Sequence, residues 1–193
     1  MKLGPLFHSL MDVFDGELAI ENMARNALSE AGDVDFESST NKSLPESFET
    51  IFAEPDAHPI CQLISQFPFE WVPPTTSDDP AYVAHSLAKV HVELIGPQGI
   101  VRSDSIRLGL YGMAPDKEYG IRTHLAEEVF IMIAGEADWK QNDGQYKALR
   151  AGQRAFHPSM TPHANRTRTS AFLSAYAWHG DISTDSYVYE GIK

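Results

Sequence analysis

The sequence predicts a mainly β chain that closes into one small sandwich or barrel, preceded by a helical segment. Three observations carry that class. Apolar residues in the first third recur at helical spacing, those from about Tyr82 onward fall in short β-prone runs broken by Gly, Asn, Asp or Pro, and no helical stretch separates the runs. At 193 residues the chain is long enough for one domain with a sizeable core.

Taken in order, Leu6, Leu10, Val13 and Phe14, then Leu18, Ala19, Met23 and Ala27, predict two helices broken near Gly16. The segment "AGDVDFESSTNKS" loses periodicity and reads as a polar loop. Short helices are expected over "PESFETIFA", with Pro45 in a first turn, and over "HPICQLISQF", before Pro73 and Pro74 end the helical part. Residues 1–80 are thus a helical extension and 81–193 a β-barrel. The strands are expected in "KVHVELIG", "SIRLGLYGM", "EEVFIMIAGEADW", "QYKALRAG", "RAFHP", "SAFLSAYAW" and "DSYVYEG".

Charge excludes two classes of partner. With 15 basic against 27 acidic residues and a formal charge of −12, a nucleic acid or an anionic membrane would bind against the protein's own field. A single cysteine, Cys61, rules out an intramolecular disulfide framework and thiolate-rich zinc sites, and reads as a buried small hydrophobe. No apolar run reaches the roughly 20 residues of a membrane span, and "MKLGPLFHSLMDVFDGELAIE" meets acids early, unlike a secretory signal. A cytoplasmic protein is expected.

The chemistry-bearing stretch is "YGIRTHLAEEVFIMIAG". Alternate side chains of an extended segment share a face, which places Arg122 with His124, and Glu128 with Phe130 and Met132 on the following strand. If those faces line the barrel, His124 and Glu128 meet there. His163, after the proline-bearing turn of "HPSMTPH", can add a second imidazole. Two imidazoles and one carboxylate leave coordination positions open and suit one divalent ion of Fe, Zn or Mn.

At this point the sequence resembles the cupins, whose first motif runs G-x5-H-x-H-x3,4-E-x6-G and whose second runs G-x5-P-x-G-x2-H-x3-N. His124, Glu128 and Gly135 match the first; Gly152, Pro158 and His163 match the second. The departures are Asp116 for the first glycine, Arg122 for the first histidine, Met160 for a glycine and Thr167 for the last asparagine. Within the cupins, "HLAEEVFIMIAGEADW", "HPSMTPHANRT" and "AWHGDIS" look like the dimethylsulfoniopropionate lyases, across roughly residues 108–183. That resemblance implies a cupin barrel with a helical N-terminal extension and a homodimer paired through exposed strands. It also implies metal-dependent cleavage of a small β-substituted carboxylate to acrylate and dimethyl sulfide.

Phe130 stands where that family has a tyrosine expected to bind metal and act as base. Tyr119, which resembles another pocket tyrosine of the family, becomes the first replacement, ahead of a metal-bound hydroxide or His157. Arg122 would pair with a substrate carboxylate or with Glu127 or Glu128, and its charge would weaken metal affinity. Phe130 would form an apolar wall, and Trp178 would offer an aromatic face to an onium group. Two other readings stay open: an Fe(II) dioxygenase, and a non-catalytic cupin that binds a small anion.

Overall fold

The computed structural model describes residues 1–37 and 43–192; the middle of the expected polar loop lies outside them. Two helices, α1 (Gly4–Val13) and α2 (Ala19–Ala31), flank Gly16 as the periodicity predicts. Pro5 sits in the first turn of α1, where a missing N–H costs nothing. At the start of α2, Glu21 reaches back to accept from Leu18 N at 3.3 Å, and a Cβ on Gly16 would lie 2.1 Å from that carboxylate. A side chain at the break would displace the Glu21 carboxylate that caps α2.

Next come α3 (Glu46–Phe52) and α4 (Ile60–Ile64), with Pro45 capping α3 from just outside rather than within its first turn. Helical structure does not end at Pro73 and Pro74. A further helix, α5 (Pro80–Ser86), follows, because Asp79 caps it by accepting from Ala81 N at 2.8 Å and Tyr82 N at 3.0 Å. Tyr82 is accordingly helical, and α5 crosses the expected 80/81 division.

Ten strands follow: β1 (Lys89–Gly96), β2 (Val101–Arg102), β3 (Ile106–Met113), β4 (Glu118–Thr123), β5 (Glu127–Gln141), β6 (Lys147–Arg150), β7 (Arg154–His157), β8 (His163–Arg166), β9 (Phe172–His179) and β10 (Val188–Gly191). Seven match the expected β-prone runs, β4 and β8 carry the Arg122 and His163 segments, and β2 has no counterpart in the sequence reading. The pairing order is β10-β4-β8-β5-β9-β3-β1-β2, antiparallel except for β1 with β2. The long β5 is shared. Its first half pairs with β7 and β9, and its second half with β6 and β8, so one ribbon runs from one sheet of the sandwich into the other. This is the cupin barrel.

Alternation along the strands sorts two cores. Val129, Ile131 and Ile133 of β5, with Leu173, Ala175 and Ala177 of β9, join the helices in one cluster. Phe130 and Met132, with Tyr176 and Trp178, fill the barrel interior. The phase reverses after an irregularity between Met132 and Ala134, so Ala137 and Trp139 then face the interior. Gly135 follows with φ 69°, and a Cβ there would meet the Ala171 carbonyl at 2.1 Å. Cys61 is buried at the helix–barrel junction, its Sγ 3.6 Å from Ile133 O, and burial pushes the thiol up to about 12.

Among the described residues no helix is long and apolar enough to cross a membrane.

Candidate metal centre

Three segments bring the predicted donors together. His124 follows the end of β4, Glu128 is the second residue of β5, and His163 opens β8; their ligand atoms all lie within 4.8 Å of one another. Glu128 Oε2 is 3.1 Å from His163 Nε2 and 3.6 Å from His124 Nε2, and all three side chains are buried.

Their outer contacts fix which atoms face inward. His124 Nδ1 donates to Ala126 O at 2.9 Å and His163 Nδ1 to Thr161 O at 2.8 Å, because a carbonyl can only accept. With Nδ1 committed to a carbonyl, each ring in its neutral form turns a bare Nε2 toward the shared point. Trp178 Nε1 donates to Glu128 Oε1, which leaves Oε2 as the inward oxygen. The three inward atoms have no hydrogen-bond partner of good geometry among the described residues. Three buried lone pairs converging on one point suit a cation, and the donor set can hold a divalent metal.

Burial alone would raise the Glu128 carboxyl, but contact with His124 and His163 outweighs it and holds the group well below the usual carboxylate range. Burial, then the Arg122 charge, holds His163 down at about 4. The carboxylate is thus available as an anion and the imidazole as a neutral ligand.

The other predicted residues surround a cavity of about 420 Å³ that Glu128 also lines. Arg122, Tyr119, Phe130 and Trp178 all border it. Phe130 packs against Tyr111 at 5.3 Å and Trp139 at 4.7 Å between ring centroids, as an apolar wall should. Trp178 stacks on His124 at 4.2 Å, so its indole positions two of the three donors as well as facing the cavity. Tyr119 Oη is hydrogen-bonded to Tyr187 Oη. Burial pushes the Tyr119 phenol well above its ordinary value, neighbouring tyrosines push it further, and Arg122, 3.9 Å from its ring centre, opposes them.

Several residues near the site went unseen in the sequence. Tyr187 arrives from the loop before β10 and stacks on His124 at 5.9 Å. His91 borders the cavity and meets Tyr176 Oη at 2.7 Å. Lys89 is buried with its amine over the Tyr119 ring and bonded to Ser86 Oγ at 3.1 Å; burial, then Arg122, lowers it to about 5. His157, already named beside the second motif, stacks on His163 at 4.1 Å and contacts Gln141 Nε2 through Nδ1 at 2.8 Å.

The motif departures also have a structural reading. Asp116 and Met160, which replace motif glycines, adopt φ 56° and 59°, beside 69° and 81° at the retained Gly135 and Gly152. The turns have kept their left-handed backbone after losing two of their glycines. Aspartate tolerates that region better than methionine does.

Comparison with known proteins places this geometry. The profile of the dimethylsulfoniopropionate lyase family matches residues 68–174, just over half of the chain. Dimethylsulfoniopropionate lyase DddQ of Ruegeria pomeroyi is 36% identical over 91 residues. That alignment spans 47% of this chain and 45% of the relative, so less than half of the curated protein is matched. In three dimensions the chain superposes on the crystal structure of DddQ from Ruegeria pomeroyi DSS-3 with a TM-score of 0.64 at 24% identity, covering 96% of each chain. A crystal structure from the pair of DMSP lyases RdDddP and RnDddQII gives 0.67 at 22% identity, covering 96% of this chain and 95% of that one.

Proposed function

Because the chain belongs to the dimethylsulfoniopropionate lyase family, we propose that it is a metal-dependent carbon–sulfur lyase. Its substrate is dimethylsulfoniopropionate or a related small β-substituted carboxylate, cleaved by β-elimination to acrylate and a neutral sulfide. The observation that carries this reading is the convergence of His124 Nε2, Glu128 Oε2 and His163 Nε2 beside an aromatic-walled cavity. One divalent ion of Zn, Fe or Mn on those atoms would supply positive charge that stabilises enolate character at the substrate carboxylate.

The chain's own residues supply the rest. Trp178, Phe130 and Tyr187 wall the cavity, exclude water and give the sulfonium an aromatic surroundings. The proton at the α-carbon needs a base within about 3 Å. We assign it to Tyr119, hydrogen-bonded to Tyr187: burial holds its phenol well above the ordinary value, and Arg122 on its ring face, together with the charge of an ion on the three donors, would offset that and favour the phenolate. The leaving sulfide departs neutral and needs no acid.

The test is a headspace assay for dimethyl sulfide with dimethylsulfoniopropionate, run on metal-loaded, metal-stripped and His163→Ala protein. Release that requires both the metal and His163 is expected. Stoichiometric metal binding with no sulfide from any β-sulfonium carboxylate would overturn the reading.

A further inference from the structure

Arg122 is the anomaly in the barrel. It comes from β4, its side chain is 2% exposed, and it borders the cavity that Glu128 lines. Both terminal nitrogens, Nη1 and Nη2, lack a hydrogen-bond partner among the described residues. The guanidinium makes no ion pair within 4.0 Å among the described residues; it lies over the face of Tyr119, 3.9 Å from the ring centre, and the Glu128 charge acts on it only from a greater distance. A stacked guanidinium keeps its N–H edges free, and a buried cation left without an anion is costly.

A second donor borders the same cavity. Tyr111 on β3 is 5% exposed; its hydroxyl approaches Asn165 but has no hydrogen-bond partner of good geometry among the described residues, and Arg122 is among the charges acting on it. Two N–H donors in a fork and one O–H donor bordering one cavity match a planar carboxylate.

We propose that Arg122 and Tyr111 form the seat for the substrate's carboxylate, so that this chain holds its anion by a guanidinium and a phenol. The inference rests on the lyase reading for the identity of the substrate, and it specifies a monocarboxylate small enough to share the cavity with the Glu128 oxygen. It also accounts for an arginine at the place of a motif histidine: a donor to metal has been exchanged for a donor to substrate. The fork reads shape as well as charge, so a carboxylate is preferred over its neutral amide.

The test is calorimetric titration of the full chain with propionate and with propionamide, first stripped of metal and then with Zn(II) restored. Propionate is expected to bind in both states and propionamide at least tenfold more weakly. Arg122→Gln is expected to weaken propionate by roughly tenfold to a hundredfold, the span of a charge-assisted hydrogen bond, without lowering metal content. Tyr111→Phe, a milder change that keeps the packing, should weaken it several-fold. Propionate bound only when zinc is present, propionamide bound as tightly, or an unchanged affinity in both variants would each overturn the proposal. Because no turnover is read, a chain that binds propionate this way but releases no sulfide refutes the lyase reading and leaves the seat standing. Sulfide release without the amide discrimination does the reverse.

Discussion

Replacing Trp178 by phenylalanine isolates the hydrogen bond that holds the Glu128 carboxylate in place. The indole Nε1 donates to Glu128 Oε1, and the two residues are 7% and 3% exposed. A hydrogen bond to a charged group contributes about 1.5–3 kcal/mol, and losing it leaves a buried oxygen unpaired. Phenylalanine keeps an aromatic face against the His124 ring, now 4.2 Å from the indole, and removes the N–H. With Oε1 released, the carboxylate can turn Oε2 away from the shared point. Metal affinity is therefore expected to fall about 10- to 100-fold, the usual cost of deleting an outer partner of a ligand. In excess metal that shrinks the stabilisation conferred by the ion by about 1.4–2.7 kcal/mol. The assay is thermal unfolding with and without zinc, beside chelator competition. Lost packing lowers both unfolding temperatures alike, whereas the lost hydrogen bond narrows the gap between them. An unchanged gap would refute the argument that Trp178 positions Glu128.

Two further outcomes are expected. Phe130→Tyr returns a phenol to the cavity wall and should raise dimethyl sulfide release, by as much as about 10²–10⁴-fold if that phenol becomes the base; no gain, with metal bound and the fold intact, would count against the absent phenol as the limit. Metal-free protein should lose stability in mild acid. Burial and then the nearby Arg122 and Arg107 charges hold His163 and His91 at about 4. Unfolded imidazoles take protons near 6.5, so the unfolded chain binds more protons than the folded one between about 6.5 and 4. Stability then falls as pH falls through that window, by up to about 1.4 kcal/mol per pH unit for each imidazole, and a urea midpoint that stays level from pH 7 to pH 5 would show the rings are not held neutral.

The barrel was legible because its strands obey period two. Val129, Ile131 and Ile133 alternate with Glu128, Phe130 and Met132, and that alternation is what sorts the two cores. The three donors were legible because each sits in a short segment whose spacing is dictated by a turn. Tyr187 was not, since it reaches Tyr119 across 68 residues of sequence and nothing local marks its direction. Lys89 and His91 likewise head an ordinary β-prone run, and only the closure of β1 onto β3 turns them inward. The helix α5 was hidden by a local conflict: two prolines, at 73 and 74, suggested an end, while the cap at Asp79 began a new turn.

The division of β5 into two phases bears on how such a site can change over generations. Ahead of its irregularity, one set of alternating positions answers to the helices, and the other answers only to whatever the cavity must hold. An exchange at Phe130, or at Arg122 on β4, therefore leaves the helix-facing residues untouched. Chemistry in this scaffold can drift, or be redirected by a library confined to the cavity-facing positions, while the opposite face keeps the protein folded through each intermediate.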